Sequence, residues 1–315
     1  EGSVTLYAIW KNNADYVNAS GNIVIGGNEC VKTSMATVSE QLITGSGSEG
    51  VFVDGRIVWL SSYSIGKYPV TQQLYKAVVG YNPSQHQNNT DVGETSVLLR
   101  PVECVNWYHA ITFCNKLSLM MGKTPCYSVK VDGIEVDWAN YTHSEVPLNL
   151  NSDWNNAVCD WDADGYRLPT EAEWECAARG GDVTDTENWN LTYAGSNDYD
   201  SVAWHSGNSI HAHEWEVGLK NPNSLGLYDM SGNVCDYCWD WYNLTEIITS
   251  NDDEDKNYGV VINPFGTLPG SNFLHVTRGG TWFEDGSCCS VTTRNLAASH
   301  GCDDIHSFRI TCSGE

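Results

Sequence analysis

Twelve cysteines, nine histidines and forty acidic side chains are the groups in this 315-residue chain that could do chemistry. The thiols are Cys30, Cys104, Cys114, Cys126, Cys159, Cys176, Cys235, Cys238, Cys288, Cys289, Cys302 and Cys312. Cys235-Asp236-Tyr237-Cys238 has the C-x-x-C spacing used by redox and zinc sites. It has no second pair at zinc spacing and no thioredoxin-like context. Cys104, Cys114 and Cys176 sit among apolar residues, where cysteine acts as a small core side chain. A domain of this length needs no disulfide staples, so the thiols are expected to be mostly buried and free. Cys288 and Cys289 are adjacent, and on an extended chain they point to opposite sides. His211-Ala212-His213, with His205 upstream, could place two imidazoles on one side of a strand, but loop histidines are more often solvated than ligating. Asp252-Asp253-Glu254-Asp255 reads as a solvated loop tip. There is no Gly-rich phosphate loop and no Ser nucleophile elbow.

The chain is organised around its C-terminal stretch, Arg278–Ile310, RGGTWFEDGSCCSVTTRNLAASHGCDDIHSFRI. Arg278-Gly279-Gly280, Trp282, Arg294 and Phe308-Arg309 read as scaffold. Between them lie assorted polar, small and large residues with neither strand alternation nor a helical period. Such a segment reads as fixed framework carrying displayed side chains, and binding chemistry concentrates on loops held by a rigid scaffold. The blander reading is a C-terminal strand followed by a long loop. The displayed set is Phe283, Asp285, Ser287, Cys288, Thr293, Asn295, Leu296, Ala298, Ser299, His300, Cys302, Asp303 and His306.

The elements that must position this stretch are few. Ile23–Ile25 is a short apolar strand, and Val51–Tyr63 alternates. Thr71 is placed to cap a helix with Leu74, Tyr75, Val78 and Val79 on one face. Asn106 caps a second, burying Ala110, Phe113, Cys114 and Leu117. Short strands are expected at Cys126–Val131 and Ile134–Trp138. Thr170 and Glu173 form a capping box after Pro169, with Trp174, Ala177 and Ala178 facing the core and Gly180-Gly181 stopping the helix. Residues 182–224 are irregular, and no fixed-period repeat appears. The pattern is α+β, loop-rich, with small antiparallel sheets. The formal charge of −24 repels phosphate backbones and argues against nucleic acid as a partner. No apolar run is long enough to span a membrane. No charged-then-apolar leader is visible at Glu1, so any signal peptide is expected to be absent or already removed.

Several stretches resemble one family in order along the chain. They are Gly66–Thr71, Pro101-Val102 through Trp107, Arg167–Glu175 with Ala177–Gly181, Pro222–Val234, and Arg278–Trp282. Together they resemble the formylglycine-generating enzyme (sulfatase-modifying factor) family across about residues 45–312. The resemblance implies a variant of the C-type lectin fold. It also implies copper-dependent oxidation by two cysteines, two and seven residues after the aromatic that ends the RGG motif. Here those positions are Glu284 and Cys289. Soft Cu(I) requires two thiolates, and a carboxylate is a poor substitute, so no catalytic site is expected.

Arg278–Ile310 more closely resembles the variable proteins of diversity-generating retroelements, which end in RGG-S/T-W, mutable positions, an Arg, more mutable positions and a G/S-F-R terminus. That likeness implies a non-enzymatic, variant-dependent binder of a protein or glycan. It would be monomeric and displayed extracellularly on a bacterial cell surface, with a lipid anchor on a missing N-terminal segment. The alternative is a formylglycine-generating-type oxidase using Cys289 in an altered site; a third reading is a structural surface module. The family resemblance further implies a structural calcium at Asp229, Gly232, Val234 and Asp236, where two carboxylates and two carbonyls offer hard oxygens. Val4–Trp10 resembles the closing strand of small extracellular repeats. Residues 1–20 are therefore expected to be the tail of a preceding module, 21–44 linker and edge elements, and 45–315 the domain.

Overall fold

Brief regular stretches separated by long loops are what this Gly-, Asn- and aromatic-rich chain forms. The computed structural model describes residues 15–88, 90–242, 259–265 and 273–314. The Val4–Trp10 strand and the Asp252–Asp255 run lie outside the described residues. Among those residues the architecture is α+β, with six small sheets and three α-helices of eight residues or more, Gln72–Val79, Trp107–Met120 and Glu171–Ala178.

Each of these helices begins at a side-chain cap. Thr71 Oγ1 accepts from the Leu74 N–H and Asn106 Oδ1 from the His109 N–H, at 3.2 and 2.9 Å. At the third, Thr170 and Glu173 exchange bonds as a capping box, so two N–H groups left over by the first turn are satisfied within the motif. Gly180 and Gly181 end that helix with φ of 99° and 73°, a conformation that costs a residue with a Cβ more than glycine.

The C-terminal segment belongs to a four-stranded sheet. Its strand order is Arg294–Ala298, Leu274–Arg278, Cys235–Trp241, His306–Ser307. The first three strands are antiparallel, and the last pair is parallel. Alternation splits the central strand between two cores. Tyr237 joins Trp107, Phe113, Ala297 and Phe308 on one side. Cys238 joins Trp174, Ile43 and Val276 on the other. The sheet is therefore clamped by the Trp107–Met120 helix on one face and the Glu171–Ala178 helix on the other.

Of residues 21–44, expected as linker and edge elements, Met35–Val38 and Gln41–Thr44 are edge strands and Ile23–Ile25 is the middle strand of a small sheet. Ile23, Val24 and Ile25 are all buried. Met35–Val38 pairs with Tyr63–Gly66, and Gln41–Thr44 with Ile57–Leu60. The short strands alternate apolar residues too sparsely to stand out among Gly, Ser and Asn, but the apolar ones are the residues that go inside. All twelve cysteines are free. Eight are buried, three are half-buried, and Cys302 is exposed.

Candidate ligand-binding face

The scaffold residues of the C-terminal stretch act mainly on backbone carbonyls. Arg278 is fully buried; its Nη1 donates to the Thr293 carbonyl at 2.5 Å and its Nη2 to the Val291 carbonyl at 3.0 Å. Nη2 also meets Glu175 Oε2 at 2.5 Å. Arg294 pairs with Glu171 through Nε and Nη2 at 2.5 and 2.7 Å. Both carboxylates come from the Glu171–Ala178 helix, so the capping box that sets the helix start also sets where the segment is tied. Arg309, fully buried, donates to Asp236 Oδ2 at 2.6 Å and to the carbonyls of Gly66, Tyr228 and Asp229. Phe308 packs edge-on to Phe113 at 5.2 Å. Trp282 is buried, and its Nε1 donates to the Asp304 carbonyl at 3.2 Å. An irregular backbone has no ladder to satisfy its polar groups; these guanidinium and indole donors do that work.

Of the thirteen display residues, Phe283, Asp285, Ser287, Leu296, Cys302 and Asp303 are exposed. Cys288, Thr293, Asn295, Ala298 and His300 are half-buried. Phe283 and Leu296 are 67% and 44% exposed, large apolar side chains left in solvent. Ser299 and His306 correct the expectation, since both are buried. The Ser299 N–H and hydroxyl both donate to the Phe273 carbonyl, which turns the side chain inward at the end of the strand. His306 pairs with Cys235 in the parallel register, and its ring lies 5.5 Å from Tyr237. Its Nδ1 is 2.7 Å from Asp303 Oδ1.

Asn295, Leu296 and His306 come together around a cleft of about 260 Å³, lined also by Cys235, Thr281, Glu284, Arg294 and Ile305. Asp285, Ser287 and Cys288 lie apart from it, on the Gly286–Cys289 3₁₀ turn that packs against the Tyr199–Val202 helix. A side chain at Gly286 would strike the Tyr199 ring, which fixes that turn's position. Sequence reasoning missed Cys235, Thr281 and Ile305 as cleft residues. No local pattern marks them, because the parallel pairing of Cys235 with His306 brings together residues 71 positions apart.

The sulfatase-modifying factor enzyme 1-like domain matches residues 18–312. The chain is 36% identical over 244 residues to the chaperone protein LppX of Paenibacillus barcinonensis, covering 71% of this chain and 79% of that one. It is 32% identical over 145 residues to the formylglycine-generating enzyme of Streptomyces coelicolor, covering 44% of this chain and 42% of that enzyme. Among solved structures, Treponema denticola variable protein 1 superposes with a TM-score of 0.80 at 35% identity, over 93% of this chain and 98% of that one. The chain belongs to the sulfatase-modifying factor family. Its fold is the loop-rich, C-type lectin-like fold of formylglycine-generating enzymes.

The two positions at which the family resemblance expects the oxidase thiol pair are Glu284 and Cys289. Glu284 is half-buried, and its Oε2 accepts from the Thr281 hydroxyl at 3.3 Å. Cys289 is fully buried, and burial followed by the Glu284 charge pushes its thiol up to about 12. A thiol held protonated in this way is a poor nucleophile and a poor metal ligand.

The family's calcium positions carry a different set of bonds here. Asp229 Oδ2 accepts from the Gly218 N–H and Oδ1 from Asn233 Nδ2. Asp236 Oδ2 accepts from Trp174 Nε1 and Arg309 Nε. Only Asp236 Oδ1 is buried without a partner. Calcium takes six to eight oxygens. Three of the four carboxylate oxygens are bonded and a guanidinium sits on Asp236, so Asp229, Gly232, Val234 and Asp236 leave one unbonded carboxylate oxygen for a calcium ion. Asp229 caps the turn and Asp236 is an ion-pair partner.

Proposed function

We propose that this chain is a non-enzymatic binding protein whose residues 283–306 form a ligand-binding face diversified by a retroelement. The observation that carries the reading is the division of labour inside one segment. Arg278, Trp282 and Arg309 are buried and hold backbone carbonyls, and Phe308 is buried among core rings. Eleven of the thirteen display residues keep at least partial exposure. A position that must accept Phe, Asp or Ser in turn cannot lie in a core where one methylene is felt. The likeness to Treponema denticola variable protein 1 supports the same reading.

The ligand is a protein or glycan that differs between variants. The Leu296–Asn295–His306–Glu284 cleft would take one small side chain or sugar edge. Placement on a bacterial surface, and a lipid anchor outside this sequence, belong to the same proposal. The test is the DNA beside the gene. A template copy of the segment for residues 283–306, differing from the gene chiefly where the template has adenine, together with a reverse transcriptase gene, is expected. A locus without either, and sister strains whose differences fall evenly over the chain, would sink the diversification reading.

A further inference from the structure

We infer that His86, Glu103 and Glu214 form a binding site for one divalent transition-metal ion of the zinc class, and that this ion anchors the variable segment from below. One ligand atom from each residue lies within 4.8 Å of the other two. The Glu103 and Glu214 side chains are fully buried, and His86 is half-buried. His86 Nδ1 stands 2.5 Å from Glu214 Oε2. Glu103 Oε1 accepts from the His86 N–H at 2.9 Å, while its Oε2 is buried with no hydrogen-bond partner. Two carboxylates so close in a buried place repel one another, and an orphaned carboxylate oxygen among them lacks the partner that burial normally demands. A divalent ion supplies the contact that this oxygen lacks.

The donor chemistry selects the ion. One imidazole and two carboxylates suit zinc and its first-row neighbours better than soft Cu(I) or seven-oxygen calcium. Ligand distances of roughly 2.0–2.2 Å would require the three atoms to close to about 3.5 Å apart, a side-chain adjustment only. With Nδ1 turned to the metal, His86 Nε2 faces Asp304 Oδ2, now 3.8 Å away. A carboxylate on the far nitrogen is the usual partner that orients a metal-bound histidine. Asp304 lies inside the variable segment, and its carbonyl accepts from Trp282. The next residue back, Asp303, accepts through its carbonyl from the Cys104 N–H, adjacent to Glu103. Among the other neighbours are Cys104, whose thiol bonds to the Glu103 carboxylate, Gln72, whose Nε2 is 3.5 Å from Glu214 Oε1, Arg100, which donates to the His86 carbonyl, and His213, whose ring lies 5.7 Å from His86.

Cobalt(II) is the probe, because its visible spectrum reports the ligand atoms. Protein stripped of metal and kept reduced should bind one equivalent, with weak visible bands, no near-ultraviolet thiolate band and a raised melting temperature. Glu103→Gln removes like-charge repulsion at the oxygen that has no partner, so the metal-free variant should melt no lower than the parent, yet lose the cobalt bands and the melting shift; Glu214→Gln, which also breaks the pair with His86, should lose the bands as well. Asp304→Asn should weaken binding by about 10- to 100-fold. Absence of stoichiometric binding would overturn the assignment. So would binding that survives Glu103→Gln, a thiolate band, or loss on replacing the exposed His211.

Discussion

Arg278 shows how one fixed side chain frees its neighbours to vary. Its guanidinium holds the carbonyls of Val291 and Thr293, so the backbone there stays put whatever side chains follow. Trp282 plays the same part at the other end of the loop. Trp282→Ala removes a buried ring and the bond to Asp304, and should cost about 3–5 kcal/mol, read from denaturant midpoints. A change under 1 kcal/mol would mean the ring is not part of the scaffold. With Glu284 where the resemblance expects a thiol, purified protein incubated with a sulfatase-type cysteine peptide and copper is expected to give no aldehyde by mass spectrometry. Turnover that disappears in Cys289→Ser would contradict the binding-protein reading. Millimolar calcium added to metal-stripped protein is expected to leave the melting temperature unchanged, since a ligand that binds the native state must raise it.

The Glu171–Ala178 helix is the element on which the display depends, and its charges make that dependence measurable. Asp240 accepts from the Glu171 N–H at 2.7 Å, and burial followed by the Glu171 charge pushes its carboxyl up to about 8, from 3.8. Between those values the folded protein keeps a proton that the unfolded chain has released, so this group's contribution to stability falls as pH rises. Asp240→Asn keeps an oxygen for the helix N–H and never ionises. The variant should match the parent near pH 4 and melt increasingly higher than it towards pH 8; a gap that stays constant with pH would contradict the assignment.

This helix was also the most legible element. Thr170, Glu173, Pro169 and the Gly180-Gly181 stop are local signals, and local signals fix helix starts and ends. The scaffold role of Arg278 and Arg309 was likewise readable from their fixed places in the segment. The burial of Ser299 and His306 was not. It depends on pairing with Phe273 and Cys235, which no short-range pattern encodes. The same holds for His86, Glu103 and Glu214, which are far apart in sequence and meet only through loops. Of these, Glu214 adjoins the histidine cluster that drew attention in the sequence, but His211 and His213 do not join the metal-ligand group found among the described residues.

At the scale of the whole molecule, a buried framework of two cores and a clamped sheet carries a small, replaceable face. The net charge of −24 repels polyanions, and the proposed reading leaves selectivity to the segment. The most direct measurement is a library with Phe283, Asp285, Ser287, Leu296, Cys302 and Asp303 randomised together, selected for binding to an immobilised protein that the parent ignores. Folded binders with parent-like melting temperatures and varied residues at these six positions are the expected result. If most members fail to fold, or no member gains binding while Arg278, Trp282 and Arg309 stay fixed, residues 283–306 are not a display surface.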